Sequence, residues 1–283
     1  RFRNVTGVQT CALPIYFTTA MLTEGTTTRS ALQIAEEVAQ LGGSIGTSST
    51  MDGAQVAVSS LTRTFPQLLA VLADVVRHPS FPAAEIERQR ASRLASLVQQ
   101  RENPNAAATA VFASALYGPS HPYGYTELGT EASTRAITRD DLQQFWAQHI
   151  VPGNAALVVS GQVTVAALRP LVERAFGDWT RTVPETAPAP IAAPVTTTAR
   201  LIFVDKPGAP QTQLRVGSLG VARGTPDYEV IRVMNDALGG MFSSRINLNL
   251  REEHGYTYGA RSEFVFRRAP GPFVVATGVR TDV

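Results

Sequence analysis

The sequence predicts an α+β protein of two homologous domains, each an antiparallel-rich sheet covered by helices. Three observations carry that expectation. A helix, a glycine stop and a hairpin occur in that order twice, at residues 29–61 and 245–279, as in a duplicated unit. The stretch ETAPAPIAAPVTTT, residues 185–198, holds three prolines and almost no charge, and it separates two segments that each mix helix and strand, so it reads as a stiff linker. A chain of 283 residues with 44% hydrophobic content can bury two cores. The expected organisation is a segment at 1–15, a first domain at 16–184, the linker at 185–198 and a second domain at 199–283.

In the first domain, TTTRSALQIAEEVAQLGG combines a Thr-rich start, an apolar stripe at Ala31, Ile34, Ala35, Val38 and Leu41, and a glycine end at Gly42 and Gly43. Residues 44–50 and 54–61 then read as a hairpin closed by Asp52 and Gly53. Three helices follow, at 66–77, from 82 to about 101 and from 104 to about 117, each opening on a proline at a tolerated first-turn position. A loop leads to a helix starting at Thr138 with Asp141 in capping-box position, and AALVVSG, residues 155–161, reads as a buried strand. Residues 163–179 close the domain. The second domain begins with strands at 201–204 and 211–217 and a helix at 227–238. It continues with a helix ending at Gly255 and a hairpin of 256–266 with 272–279. On a strand, Tyr256 and Tyr258 share one face.

Residues 1–15, RFRNVTGVQTCALPI, resemble translated sequencing-adapter read-through joined to a truncated reading frame, and fold reasoning excludes them. The single cysteine, Cys11, lies there, so the remainder offers no disulfide frame, thiolate ligand or cysteine nucleophile. Without Arg1 and Arg3, 23 cations face 23 acids, and Lys206 is the one lysine. That balance gives no warrant for a nucleic-acid partner. No long uncharged apolar run predicts a membrane span.

The stretch LGGMFSSRINLNLREEHGYTYGA places Arg251 and Tyr258 seven residues apart across a helix-to-strand junction. Taken alone, the pair reads as a helix-end cation and a core aromatic. The stretch joins an ordered series: LTEGTTTRSALQIAEEVAQLGGSI, RHPSFPAAEIERQRASRLASL, LYGPSHPYGYTELGT, ITRDDLQQFWAQHIVPGNAALVVSGQV and FGDWT. Together they resemble the M16 metallopeptidases, the pitrilysin, insulinase and mitochondrial-processing-peptidase family, in its bacterial M16B type. The resemblance covers essentially all of residues 17–283. It implies the M16/LuxS-like metallohydrolase fold, with both chain ends truncated.

Catalysis in that family needs an inverted HxxEH zinc motif and a third carboxylate on a later helix, leaving zinc an open position for the attacking water. The register of LTEGT sets Tyr16 and Ala20 at the two His positions and Thr19 at the general-base position. On the later helix Glu87 matches a family carboxylate, but Leu94 stands at the ligand position. His78, His121, His149 and His254 are scattered and form no i, i+4 pair. The resemblance therefore implies a chain with no bound cofactor and no metal site, inactive alone. Arg251 and Tyr258 match the family's second-half pair, which holds the substrate backbone and stabilises the oxyanion. A chain with that pair and no zinc motif resembles the complementary subunit of a split peptidase, a pseudopeptidase forming a heterodimer with an HxxEH-bearing homologue that carries the zinc. The expected substrate is a peptide or unfolded protein, added as a strand along Ser44, Ile45, Gly46 and Thr47, although an ordinary hairpin strand reads equally well there. An M16-derived structural or peptide-binding protein is the alternative. The bacterial resemblance favours the periplasm over the cytoplasm. Gly239 and Gly240 read as helix termination, Glu36 and Glu37 as a solvated face, and Tyr256 as packed.

Overall fold

The computed structural model describes residues 13–119, 121–182 and 198–282. The chain divides into one compact unit of Arg1–Leu94 with Glu127–Ala187 and a second of Ala95–Thr126 with Pro188–Val283. Residues 95–126 group by contacts with the second unit. The expected linker lies outside the described residues except for Thr198, as do residues 1–12 of the expected non-native segment.

The first unit opens with helix α1 (Leu13–Met21). Leu13, Phe17 and Met21, spaced at i, i+4 and i+8, are all fully buried, and α1 packs on the hairpin and on α7. Leu13, inside the segment expected to stand apart, is therefore part of the folded core, while Pro14 and Ile15 are half-buried. Helix α2 (Ala31–Gln40) is set by a capping box: Gln33 N donates to Ser30 Oγ at 3.2 Å, and Ser30 N donates to Gln33 Oε1 at 2.8 Å. It stops where Gly42 takes φ 65°. Strands β1 (Ser44–Ser49) and β2 (Ala54–Ser59) pair antiparallel, Ser44 opposite Ser59, around the expected Asp52–Gly53 turn.

Helix α3 (Phe65–Arg77) supplies Leu68, Val71 and Val75 to a core that also holds Ile34 and Val38, with Ile45, Val56 and Val58 of the hairpin packed against it. Beside it, Asp74 gathers the loop before α2. Oδ2 accepts from Thr26 Oγ1 (2.7 Å), Thr28 Oγ1 (3.0 Å) and Arg29 Nη1 (2.7 Å), and Oδ1 lies 3.2 Å from His78 Nδ1. Helix α4 (Ala83–Glu102) contains the division between units. Helices α6 (Glu131–Ala136), α7 (Arg139–His149) and α8 (Val165–Phe176) complete the first unit, with α6 and α7 started by the capping boxes Thr130/Ser133 and Thr138/Asp141.

In the second unit, α5 (Pro104–Tyr117) accompanies a three-stranded antiparallel sheet in the order β3 (Gln211–Leu219), β5 (Pro272–Arg280), β4 (Thr257–Phe264). Helix α9 (Tyr228–Asn235) runs into a π-helical turn, Asp236–Gly240. The predicted helix up to Gly255 is a short α10 (Arg245–Asn247) followed by a second π-helical stretch, Leu248–Glu253. Gly239 has a reason beyond helix termination: a Cβ there would sit 2.4 Å from Ser262 N of β4, so only glycine admits that approach.

The strands predicted at 155–161 and 201–204 are not formed. Both stretches are apolar, as the sequence reading saw, but neither has a strand partner among the described residues, and Val158 and Phe203 are 89% and 86% exposed. An apolar β-branched run is a strand only when a neighbour pairs with it.

Candidate functional site

The second unit brings Arg251 and Tyr258 together through backbone irregularities rather than a regular strand. Thr257 lies opposite Val279 and Ala260 opposite Thr277, so three steps on β4 match two on β5 and a β-bulge falls at Tyr258 and Gly259. Thr257 closes it: its hydroxyl accepts from Gly259 N (3.1 Å) and Thr277 Oγ1 (3.0 Å) and donates to Gly278 O (2.7 Å). Asn247 ties α10 to the strand just beyond, its Oδ1 accepting from Ala260 N at 3.1 Å. The bulge turns Tyr258 outward, 86% exposed. Tyr256 precedes the strand, half-buried, and stacks on the exposed His254 at 5.0 Å, so the expected shared face of Tyr256 and Tyr258 does not form.

Arg251 lies in the second π-helical stretch, which ends before Gly255 at φ 63°. Its Nη1 donates to Tyr258 O at 2.8 Å, its guanidinium carbon sits 4.7 Å from the Phe242 ring centroid, and Nε is 3.1 Å from Glu252 Oε1. The side chain remains 37% exposed. A guanidinium and a phenol are each hydrogen-bond donors suited to a carbonyl oxygen.

The first unit holds a pocket of about 290 Å³ lined by Tyr16, Thr19, Ala20, Thr47, Ser48, Ser49, Arg93 and Glu127. Tyr16, Thr19 and Ala20, three of the residues that the sequence register expects at the zinc-motif positions, therefore share one cavity. Leu94 is not in its wall; Arg93 is. Sequence reasoning missed Arg93, although Ile86, Arg93 and Leu97 follow helical spacing and both flanking residues are buried, which marks that face as inward. Arg93 stacks over the Phe17 ring at 5.0 Å, and its Nε is buried without a hydrogen-bond acceptor among the described residues. Burial pulls its pKa below the usual arginine value, opposed by the negative charge of Glu127.

Of the four strand residues expected to hold substrate, only Thr47 lines this pocket; Ile45 packs on the core. Ser48 and Ser49 join it. Because successive strand side chains alternate in direction, three consecutive lining residues mean that the pocket meets β1 edge-on. The other edge of β1 is occupied by β2.

The histidines serve local structure. His78 contacts Asp74, His121 stacks on Tyr117 at 4.8 Å, and His149 lies 4.5 Å from Phe145. Burial lowers the pKa of His121, helped by the charge of Arg267, and lowers that of His149. Among the described residues no three His, Cys, Asp or Glu side chains are grouped so as to hold a metal ion.

The profile described as Insulinase (Peptidase family M16) matches residues 16–124, and that described as Peptidase M16 inactive domain matches residues 136–282, more than half of the chain. The chain belongs to peptidase family M16. Similar proteins include an uncharacterized zinc protease of Mycobacterium tuberculosis, 29% identical over 254 residues (89% of this chain, 58% of that protein). Another is the cytochrome b-c1 complex subunit 1 of Bos taurus, 25% identical over 228 residues (79% and 46%). The crystal structure of a peptidase M16 inactive domain from Pseudomonas fluorescens superposes with TM-score 0.88 at 29% identity, covering 96% of this chain and 66% of that one. A Helicobacter pylori protease has the same fold, with TM-score 0.88 at 19% identity (95% and 65%). The chain thus spans about 58% of the length of the mycobacterial relative.

Within this M16 chain the residues of the first-unit pocket do not fit zinc. Zinc takes imidazole, thiolate or carboxylate ligands. A phenol, a threonine and an alanine occupy the motif positions, and Arg93 adds a fixed positive charge to the wall where a dication would bind. The acid that lines the pocket, Glu127, is exposed.

Proposed function

We propose that this M16 homologue is the non-zinc subunit of a two-subunit peptidase. It presents Arg251 and Tyr258 to a partner that carries HxxEH and the zinc, and it helps to hold a peptide or unfolded protein for hydrolysis. The observation that carries the reading is the Tyr258 bulge. A tyrosine turned 86% into solvent adds little to a core, and here three hydroxyl contacts of Thr257 and the Asn247 bond fix the backbone that presents it. The edge of β1 that has no paired strand among the described residues supports the peptide-holding part, since an extended chain can add a strand there.

The test is peptide hydrolysis by the full-length protein mixed with an HxxEH homologue. Tyr258→Phe and Arg251→Ala should each lower kcat roughly 10²- to 10³-fold, the scale for one lost oxyanion donor, with pull-down of the partner unchanged. Unchanged turnover in both variants would defeat the reading. A structural role in a larger assembly is the second reading, favoured by the similarity to the cytochrome b-c1 complex subunit. It predicts pairing without any effect of Tyr258→Phe.

A further inference from the structure

In the first unit, a cation and three hydroxyl-bearing strand residues converge on one cavity at a strand edge. Arg93 is held from one side by the Phe17 ring. Thr47, Ser48 and Ser49 form the neighbouring wall. Arg93 lines the cavity, and a guanidinium is a planar fork of donors suited to a carboxylate. Glu127, at the exposed rim, is the opposing charge.

We infer that this pocket binds a carboxylate of a peptide lying along the edge of β1, with Arg93 as the anchoring cation, so that the cavity at the zinc-motif positions selects for negative charge. The inference rests on the peptide-holding part of the proposed function and not on the role of Arg251 and Tyr258. An acidic side chain and a C-terminal carboxylate offer the same chemistry. Because Glu127 opposes any incoming anion, it weakens binding in the native protein.

The experiment is isothermal titration of the 283-residue chain with acetylated octapeptides of three kinds. One has an internal Glu and an amidated end, one has Gln and a free C-terminus, and one has Gln and an amidated end. The internal-Glu or the free-acid peptide should bind roughly 10- to 100-fold more tightly than the neutral one, the range for a hydrogen bond to a charged group, and whichever does names the source. Arg93→Gln should erase the difference, and Arg93→Lys, which keeps the charge and loses the fork, should retain part of it. Glu127→Gln should strengthen carboxylate binding. Melting curves for each variant establish that it is folded. Equal affinity for all three peptides, a preference that survives Arg93→Gln, or weaker carboxylate binding in Glu127→Gln would overturn the inference. Absence of any peptide binding would overturn it together with the peptide-holding reading. Loss of the preference with partner hydrolysis intact, or the reverse, separates this site from the Arg251–Tyr258 site.

Discussion

Replacing Asp74 by asparagine should destabilise the first unit by about 2–4 kcal/mol at neutral pH. The carboxylate is 11% exposed and takes donors from Thr26, Thr28 and Arg29 on Oδ2, with His78 beside Oδ1. Hydrogen bonds to a charged group contribute about 1.5–3 kcal/mol each and are not additive within one network. Asparagine keeps one acceptor but turns an amide NH2 toward groups that are themselves donors, so more than one bond is lost. Glu37 still holds Arg29 at 2.7 Å, which limits the damage. Burial, the largest influence, pushes the Asp74 pKa up, but the hydrogen bonds from Thr26, Arg29, Thr28 and His78 together hold it below its usual value. A carboxylate depressed in the folded state stabilises fully above its unfolded pKa of about 3.9, and that contribution fades as pH falls through the lower folded value. The difference between wild type and Asp74→Asn should therefore be constant from about pH 5 to pH 7 and shrink below about pH 4. Urea denaturation followed by tryptophan fluorescence measures it, because both tryptophans, Trp146 and Trp179, lie in the first unit. A difference under about 0.5 kcal/mol at pH 7, or one that grows on acidification, would refute the account.

Leu13→Ala should cost about 2–5 kcal/mol in the same fluorescence assay, the range for truncating a buried leucine; a loss under about 0.5 kcal/mol would return Leu13 to the dispensable segment. Gly239→Ala drives a methyl against Ser262 N and should destabilise the second unit by about 1–3 kcal/mol, read by near-ultraviolet dichroism of its tyrosines during urea unfolding. An unchanged midpoint would mean that β4 yields without strain. Purified chain, dialysed and analysed for metals, should carry well under one zinc per molecule, since Arg93 and the Tyr16, Thr19 and Ala20 positions offer zinc no ligand set; one zinc retained per chain would contradict that chemistry.

Elements specified by short-range chemistry were legible in the sequence. The Ser30 cap and Gly42 stop of α2, the Asp52–Gly53 hairpin and the Thr138–Asp141 box all appear where residue type alone places them. Helices α3, α4 and α5 begin within a residue of their expected starts for the same reason. What escaped depends on partners distant in sequence. Residues 155–161 and 201–204 have strand composition but no paired neighbour. The π-helical turns answer to contacts with β4, such as Asn235 Nδ2 donating to Ser262 O at 3.0 Å, rather than to local propensity. Gly259 inside a strand was a legible hint of a bulge, since an isolated glycine there often marks one. At the first-unit pocket, the charge in the wall comes from Arg93, the neighbour of the Leu94 position singled out by the sequence, and only the fold shows that it faces the pocket.

Arg251 and Tyr258 are not equally informative about function. The bland reading of the pair, a helix-end cation and a core aromatic, describes Arg251 well: it sits at the end of a π-helical stretch, bonds to Tyr258 O, lies over Phe242 and pairs with Glu252. Its removal would disturb the strand backbone whether or not any substrate ever meets it, so lost activity in Arg251→Ala is compatible with either reading. Tyr258 differs. Its carbonyl is held, but its side chain is 86% exposed among the described residues, so a purely structural account gives the phenol no task there. Deleting its hydroxyl leaves the bulge contacts of Thr257 and the Arg251 bond untouched, because all of them engage backbone or other side chains. The discriminating weight therefore falls on one oxygen atom, the Tyr258 hydroxyl, which the fold holds out on a fixed bulge and does not itself use.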